Sequence, residues 1–307
     1  MLLLKGPKTM RINNKIALLG GDLRQDTAAS VLSRGIWNVS LWGLLPSEKT
    51  AEEGIRVCES CAEAIKDAAA VILPLPASTD GSYLNCPFAS ADTRVRLNDL
   101  VAMIGSGKLI VGGKIPSEFV SGAEAKGIRV RDYFDSEEFQ IQNAYTTAEA
   151  AVSIAMNSLN RNICGARIAV TGYGRIAKHL VRLLLALGAE VTVAARKDSD
   201  LVWAETCGCA SLSLSNGTQA LAHGYDVIYN TVPHWLFNRS FLESVDKNTF
   251  LIDLASVPGG VDICAAKELG SNVLWATSLP GKYAPISAGT LIASCVDRIL
   301  REEVGEQ

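Results

Sequence analysis

Histidine and charge of one sign are both scarce in this 307-residue sequence. The three histidines are His179, His223 and His234, so the first 178 residues contain none. A zinc site built on histidines and a Ser/His/Asp triad are therefore excluded from the first half of the chain. Lys and Arg number 29 against 32 Asp and Glu, a net charge of −3. A nucleic-acid-binding protein would show a basic excess or stripe, so we expect no nucleic-acid partner.

Long apolar runs are also missing. No uncharged stretch approaches the roughly 20 residues of a membrane span, and the three leucines of MLLLKGPKTM are too few for a secretory signal. We therefore expect a cytoplasmic protein without membrane contact, whose eight cysteines are reduced thiols. Cys58 and Cys61 form a CxxC pair, but no second such pair and no nearby histidine accompany them. We expect no bound metal.

Apolar strands alternate with helical segments along the whole sequence. Strands are predicted at residues 15–19, 39–41, 55–57, 70–73, 109–111, 128–130, 167–171, 190–194, 227–230, 250–253 and 273–275. Helices are predicted at residues 27–33, 94–104, 116–126, 147–159, 175–187 and 287–301. Buried strands separated by helices are typical of a parallel sheet covered on both faces.

The predicted fold class is α/β, with two doubly wound Rossmann-like domains, parallel sheets and an interdomain cleft. Residues 1–145 would form an N-terminal flavodoxin- or Rossmann-like substrate domain of about five strands. Residues 146–286 would form a second Rossmann domain that binds a dinucleotide. The last helix, within residues 287–307, is expected to pack back on the first domain.

The strongest local motif lies between a predicted strand and a predicted helix. It consists of Gly172, Tyr173, Gly174, Arg175 and Ile176, followed by Ala177. In a dinucleotide fingerprint the first glycine permits a tight turn, the second lets the backbone approach the pyrophosphate, and the final small residue allows helix–strand packing. The helix that follows would present free N–H groups to phosphate. This context favours nucleotide binding over an ordinary glycine turn.

The end of the next strand discriminates between the two nicotinamide cofactors. NAD sites usually carry an acidic residue there, which bonds the ribose 2′-hydroxyl. Here the strand ends in Ala195, Arg196 and Lys197. Arg196 could hold a 2′-phosphate through two hydrogen bonds, and Lys197 would add a second positive charge. The sequence therefore predicts NADP(H), and the alternative is a solvated basic turn.

Two later loops follow predicted strands at the edge where ligands bind in such sheets. The residues concerned are Asn230, Thr231, Val232 and Pro233 in the first loop, and Asp253, Ala255 and Ser256 in the second. Both loops could line the nicotinamide ribose. They could also be simple strand-ending turns, which are rich in the same residue types.

Polar side chains follow three strands of the first domain. The residues are Asp22, Arg24 and Gln25 after the first strand, Asp80 after the strand at 70–73, and Lys114 after the strand at 109–111. Lys282, near the C-terminus, is a further cation. We predict that Arg24, Gln25, Lys114 and Lys282 bind an anionic substrate. Asp22, Asp80 and Lys114 are the catalytic candidates, with either aspartate as the group that moves a proton.

These motifs, taken together and in order, resemble the A-subunit family of dipicolinate synthase. The matching segments are GGDLRQ (20–25), QIQNAYTTAEAA (140–151), GYGRIAKHL (172–180), AARK (194–197), DVIYNTVP (226–233), DLASVPGG (253–260) and LPGKYAPISAG (279–289). Ala150 and Ala177 stand where we would expect glycine, and His234 follows the NTVP segment. These departures are mild.

The resemblance implies an oxidoreductase that uses NADP to oxidise a dihydrodipicolinate-type precursor, a small dicarboxylate, to pyridine-2,6-dicarboxylate. It also implies a partner, the flavoprotein-like B-subunit of dipicolinate synthase, and a place in the mother cell of a sporulating bacterium. A homo-oligomer is compatible with the sequence.

Two other functions stay open. One is another two-domain NAD(P)-dependent dehydrogenase, such as an alanine or 2-hydroxy-acid dehydrogenase. The hydroxy-acid enzymes usually need a histidine base, and the histidines here are poorly placed for that role. The other is a non-catalytic NADPH-binding protein that regulates a partner enzyme.

Overall fold

The computed structural model of the chain describes residues 13–44 and 54–304. The chain divides into two compact units: unit 1 comprises Met1–Phe139 and Pro285–Gln307, and unit 2 comprises Gln140–Ala284. No helix within the described ranges is both long and apolar enough to cross a membrane.

Unit 1 is built on a six-stranded parallel sheet rather than on about five strands. Its strands are β1 (Lys15–Leu19), β2 (Asn38–Trp42), β3 (Arg56–Val57), β4 (Ala70–Ile72), β5 (Leu109–Gly112) and β6 (Arg129–Asp132). Its helices are α1 (Leu23–Ser33), α2 (Cys61–Ile65), α3 (Leu97–Ile104) and α4 (Ser117–Glu124). The strand order is β3-β2-β1-β4-β5-β6. This is the order of a Rossmann sheet.

Unit 2 repeats the same architecture after a long helix, α5 (Glu137–Ser158), in which the boundary between the units falls. Its strands are β7 (Arg167–Thr171), β8 (Glu190–Ala195), β9 (Ala210–Ser213), β10 (Val227–Asn230), β11 (Phe250–Asp253) and β12 (Val273–Trp275). Its helices are α6 (Arg175–Ala186), α7 (Asp198–Thr206), α8 (Arg239–Ser244), α9 (Ile263–Leu269) and α10 (Leu279–Tyr283). The order β12-β11-β10-β7-β8-β9 is again that of a Rossmann sheet. The predicted α/β class with two parallel-sheet domains is confirmed.

Side-chain caps define where several helices begin. The carboxylate of Asp22 accepts the backbone N–H of Arg24 at the start of α1, and Asp262 accepts that of Ala265 at the start of α9. Such a cap satisfies one of the amides that a helix start leaves without an internal partner. Gly270, with φ +65°, ends α9 in the left-handed conformation that suits glycine.

The predicted start of α5 and the predicted loop at 279–289 are both wrong. The long helix α5 begins at residue 137, ten residues before the predicted start at Thr147. The hydroxyl of Thr147 donates to the carbonyl of Asn143 one turn earlier, which is a bond of a helix interior rather than of a cap. The segment 279–289, predicted as a loop that joins a strand to the last helix, instead holds α10 and the start of α11 (Pro285–Val304).

The last helix, α11, is part of the core of unit 1. Ile292, Val296 and Leu300 are buried in the same apolar cluster as strands β1 and β4. Glu303 near its end bonds to two arginines of β6, with 2.5 Å from Arg129 Nη1 to Glu303 Oε2 and 2.5 Å from Arg131 Nη2 to Oε1. Apolar packing and this ion-pair cluster fix the helix against the sheet.

Candidate cofactor and substrate sites

The loop between β7 and α6 leaves room for close approach by a ligand. Gly172 has φ +82°, and a Cβ atom there would lie 2.8 Å from Thr231 Oγ1 and 2.9 Å from Val232 Cγ2, so only glycine fits. A Cβ on Gly174 would meet nothing within 4 Å. Gly174 also caps α6 without any side-chain hydrogen bond to the helix amides. The positive end of the helix dipole and the open space at Gly174 together suit the pyrophosphate of a dinucleotide.

The remaining residues of this loop divide between core and surface. Tyr173 is only 9% exposed, and its hydroxyl donates to Cys207 Sγ at 3.6 Å, so its side chain faces inward. Burial raises the pKa of Tyr173 well above its ordinary value, and the hydrogen bond to Cys207 raises it further. Arg175 is exposed and Ile176 is half-buried. Tyr173 can therefore serve a ligand only through its backbone.

Two exposed basic residues follow strand β8, the neighbour of β7 in the sheet. Arg196 and Lys197 are both exposed, whereas Ala195 is buried. No acidic residue ends the strand, and the next carboxylates along the chain are Asp198 and Asp200 in the first turn of α7. The end of β8 thus offers positive charge where NAD sites place an acid.

Asn230 and Asp253 are fully buried and bonded to each other. Asn230 Nδ2 donates to Asp253 Oδ1 at 2.7 Å, and Asn230 Oδ1 accepts the hydroxyl of Thr171 at 2.7 Å. The other carboxylate oxygen of Asp253 accepts the amide of Gly260 at 2.8 Å. A Cβ on Gly260 would lie 2.1 Å from Asn230 Nδ2, so this network requires glycine there. Both side chains shape the loops, and they are not free to touch a cofactor.

The other residues of these two loops lie closer to the surface. Thr231 and Val232 are half-buried and face Gly172, and the hydroxyl of Thr231 donates to the carbonyl of Thr171 at 2.7 Å. Pro233 and Ser256 are exposed, whereas Ala255 is buried and receives the indole N–H of Trp275 on its carbonyl at 3.0 Å. The exposed positions Pro233 and Ser256 therefore lie at the same edge of the sheet as the open loop at Gly174.

In unit 1 the predicted substrate residue Arg24 is already engaged. Its Nε lies 2.9 Å from Asp22 Oδ1, and its Nη2 lies 2.8 Å from Asp22 Oδ2 and 2.5 Å from the carbonyl of Leu75. Burial raises the pKa of Asp22, but the hydrogen bonds and charge of Arg24 outweigh it, so the pKa is lowered overall. Gln25 is 1% exposed, and its Oε1 has no hydrogen-bond partner among the described residues. Asp22 holds Arg24 in place.

Asp80 lies in a surface turn and is fully occupied. Its Oδ1 accepts the amides of Ser82 and Tyr83, each at 2.9 Å, and its Oδ2 lies 3.2 Å from Arg94 Nη2. Those backbone hydrogen bonds, with the Arg94 charge, lower the pKa of the carboxyl. The carboxylate is ionised and stabilises the turn.

Lys114 stands at the end of β5 with its ammonium exposed. Its backbone has φ +51°, a conformation that costs a side-chain-bearing residue about 1–2 kcal/mol. Lys114 Nζ lies 4.6 Å from the centre of the Phe134 ring. Lys282, the other predicted cation, is exposed in the last turn of α10 and belongs to unit 2.

Sequence reasoning missed the residues that hold these groups in place. Asp132, the last residue of β6, accepts the backbone amides of Lys114, Ile115 and Phe134. Thr171 fixes Asn230 in unit 2. An aspartate directly before an aromatic pair, as in RVRDYF, is a recognisable turn signal, but its partner turn lies 18 residues earlier in the sequence.

Nothing in the described residues adds a metal site. No group of three or more His, Cys, Asp or Glu side chains within 13–44 and 54–304 is placed to hold a metal ion. Cys58 and Cys61 of the CxxC pair are both buried, and burial raises the pKa of Cys61 to about 12. A shallow cavity of about 460 Å³ lies at the amino ends of β11 and β12 and includes none of the predicted site residues.

Comparison with known proteins identifies sequence similarity over 95% of the chain. The sequence profile of the N-terminal domain of the dipicolinate synthase A-subunit matches residues 15–134. The dipicolinate synthase A-subunit of Bacillus subtilis (strain 168) is 26% identical over 294 residues, which cover 95% of this chain and 98% of that protein.

The fold agrees with these matches. The crystal structure of the same Bacillus subtilis protein superposes with a TM-score of 0.83 over 98% of this chain and 100% of that one. The dipicolinate synthase A-subunit from Bacillus halodurans gives 0.81 at 26% identity, covering 95% of this chain and 99% of that one.

A more distant structure shares the fold alone. An L-alanine dehydrogenase has a TM-score of 0.60 at 12% identity, covering 95% of this chain and 93% of that one. That protein therefore shares the two-domain α/β fold of this chain. The resemblance predicted from the motifs is confirmed: in sequence and in fold, this chain is similar to the dipicolinate synthase A-subunit.

Proposed function

We propose that this chain is an NADP-dependent oxidoreductase that forms dipicolinate, pyridine-2,6-dicarboxylate. The observation that carries the cofactor part is the open loop at Gly174, where no side chain caps α6, beside the exposed Arg196 and Lys197, with no acid at the end of β8. The relationship to proteins named dipicolinate synthase supports the product. The balanced reaction is dihydrodipicolinate plus NADP⁺ giving dipicolinate, NADPH and a proton.

Each part of the cofactor has matching residues in unit 2. The amides at the start of α6 and the bare Cα of Gly174 would hold the pyrophosphate. Arg196 and Lys197 would hold the 2′-phosphate. The chemistry that NADP supplies when bound is acceptance of a hydride from a ring carbon. Exposed positions of the loops after β10 and β11, such as Pro233 and Ser256, would line the nicotinamide end.

The substrate carries two carboxylates, and the chain offers exposed cations for them. Lys114 is exposed in unit 1. Lys282 is exposed as well and is a separate candidate for an anionic group. Arg24 contributes a guanidinium that Asp22 holds in a fixed orientation. Gln25 is buried, and its unpartnered Oε1 is an acceptor that can take a donor group of the substrate but not a carboxylate. Fixed positions matter because alignment of the ring with the hydride acceptor supplies much of the rate enhancement.

The proton released from the ring needs an acceptor, and Asp22 and Asp80 are the proposed ones. Both carboxyls have lowered pKa values, so both are ionised at neutral pH, which also makes them weak bases. Turnover of Asp22→Asn and Asp80→Asn tests them. If neither variant slows the reaction, neither carboxylate is the base.

The proposal includes the flavoprotein-like B-subunit of dipicolinate synthase as partner and the cytoplasm of the mother cell in a sporulating bacterium as location. Both rest on the resemblance of the motifs. A homo-oligomer stays a further proposal.

The direct test is a turnover assay that follows NADPH absorbance with a dihydrodipicolinate-type substrate, with and without the B-subunit. We expect NADP-dependent formation of dipicolinate. Turnover of L-alanine or a 2-hydroxy acid instead would favour the other dehydrogenases. NADPH binding without any turnover, even with the B-subunit, would favour a regulatory role.

A further inference from the structure

The turn after β5 holds a lysine in a backbone conformation that lysine rarely adopts. Lys114 has φ +51°. The residue before it, Gly113, lies tightly on the core of unit 1: a Cβ there would be 2.7 Å from the Tyr133 ring and 2.8 Å from Leu75 Cδ1. Glycine at position 114 would adopt the same backbone without steric cost. The backbone therefore does not explain the lysine at this position, and the explanation lies in its side chain.

One half-buried carboxylate, that of Asp132, organises both the lysine and the aromatic ring beside it. Asp132 Oδ1 accepts the amide of Lys114 at 3.1 Å and that of Phe134 at 2.8 Å, and Oδ2 accepts the amide of Ile115 at 2.7 Å. Register places Asp132 beside Gly112, at the common end of β6 and β5. These three hydrogen bonds fix the backbone from which the side chains of Lys114 and Phe134 project.

The lysine ammonium rests on that ring without an anionic partner. Nζ of Lys114 lies 4.6 Å from the centre of the Phe134 ring, within the range of a cation–π contact. No carboxylate in the described ranges forms an ion pair with Lys114. Both carboxylate oxygens of Asp132, which lies on the neighbouring strand, accept backbone amides instead. An oriented, exposed cation without a counter-ion is suited to an anionic ligand.

We propose that Lys114 and Phe134 form a subsite for a carboxylate of a planar ring acid, with Asp132 as its positioning residue. The ammonium binds the carboxylate, and the ring of Phe134 keeps the ammonium in one orientation. The identity of the acid as dipicolinate or its precursor rests on the proposed function. The roles of Asp132 and Phe134 do not depend on it.

Binding calorimetry on the full chain tests the subsite, with dipicolinate and isophthalate (benzene-1,3-dicarboxylate) as probes. Lys114→Gly should weaken binding of both acids roughly tenfold or more, while Tm is unchanged or raised because glycine suits this backbone. Lys114→Arg keeps the charge and should weaken binding less. The matched control is Asp67→Gly, another exposed residue of unit 1 with positive φ (+62°), which should stabilise the fold without changing affinity.

Asp132→Asn tests positioning. It should weaken dipicolinate binding roughly tenfold and leave NADPH affinity unchanged. In a Lys114→Gly background it should cause no further loss, because Asp132 acts through Lys114. A purely structural role of Asp132 would lower affinity equally in both backgrounds, and that result would overturn its assignment.

The outcomes separate the subsite from the proposed function. Equal affinity of wild type and Lys114→Gly for both acids, or no binding of either acid to wild type, overturns the subsite. Turnover of the dihydrodipicolinate-type substrate that survives Lys114→Gly would then still support the function. Binding of both acids at Lys114 without any dipicolinate formation, with or without the B-subunit, keeps the subsite and rejects the function.

Discussion

Asp22 is both the cap of α1 and the ion-pair partner of Arg24. Its side chain is 37% exposed and that of Arg24 is 10% exposed, so solvent screens part of the interaction. We expect Asp22→Asn to lower the free energy of unfolding by about 1 kcal/mol at neutral pH, measured by urea denaturation. The loss should be the same with and without NADPH.

The pH dependence of this pair has a definite sign. Because Arg24 lowers the folded-state pKa of Asp22 below 3.8, the pair stabilises the protein above that value and its contribution is lost as pH falls below it. The difference between wild type and Asp22→Asn should therefore shrink at about pH 3. A difference that grows as pH falls would contradict the ion pair.

Single residues also show what the sequence could and could not predict. Strand-end positions were predictable, because a polar residue after a buried strand marks the ligand-binding edge of a parallel sheet. The burial of these residues was not predictable. Asn230, Asp253 and Ser256 all lie at or just after the end of a buried strand, yet only Ser256 is exposed. The partners that bury them, Thr171 and the amide of Gly260, are known only once the strands are in register.

Among the secondary-structure elements, the junction of β7 and α6 contains two glycines whose substitution distinguishes an effect on stability from an effect on binding. A Cβ on Gly174 meets nothing in the protein, and its φ is negative. Gly174→Ala should therefore leave Tm unchanged, while NADPH affinity, measured by calorimetry, falls roughly tenfold or more because the methyl group occupies the space of the pyrophosphate. Gly172→Ala is the comparison and should also lower Tm, given its φ of +82° and its contact with Thr231. Unchanged NADPH affinity in Gly174→Ala would contradict the cofactor site.

The contact between α1 and α11 makes a second prediction about elements. A Cβ on Gly289 in α11 would lie 2.5 Å from the carbonyl of Arg24 and 2.6 Å from Thr27 Cβ. Gly289→Ala should destabilise the protein by about 1–3 kcal/mol through overpacking. Gly122→Ala in α4 is the matched control: a Cβ there meets nothing, so it should stabilise by about 0.5–1 kcal/mol. Urea unfolding checks both, and stabilisation by Gly289→Ala would contradict the packing of α11.

Elements with strong apolar patterns were predicted with nearly correct bounds, and weakly patterned ones were not. The strand at 167–171 and the helix at 175–187 carry clear periodicity and are present. Helix α7 has no pronounced apolar face and was missed. The start of α5 depends on Ser136, whose hydroxyl accepts the amide of Phe139 and which precedes no obvious hydrophobic run.

For the whole molecule, the two units have separate apolar cores and separate predicted ligands. Saturating NADPH should therefore slow amide hydrogen exchange in residues 140–284. At a concentration of 100 times Kd, the free energy of opening that exchange measures should rise by about 2.7 kcal/mol. Exchange measured by mass spectrometry on the full chain locates the effect. Protection confined to unit 1 would contradict the placement of the cofactor.

The overall architecture could be predicted from the sequence because strands and helices alternate in two successive series. Right-handed crossovers leave few topologies for such a pattern. The last helix was expected on the first domain, but the contacts that hold α11 there, such as those of Glu303 with β6, were not predicted. Those contacts join residues far apart in the chain, as for Arg129 and Glu303 at a separation of 174, and no local pattern reports them.

Titration calorimetry with NADPH and NADH is the sharpest test of the proposal that this protein uses NADP(H). We expect wild type to bind NADPH more tightly than NADH. Arg196→Ala should weaken NADPH binding roughly tenfold to a hundredfold, as the loss of charge-assisted hydrogen bonds implies, and leave NADH binding unchanged. Equal affinity for the two cofactors, unaffected by Arg196→Ala, would rule out NADP(H) as the preferred cofactor.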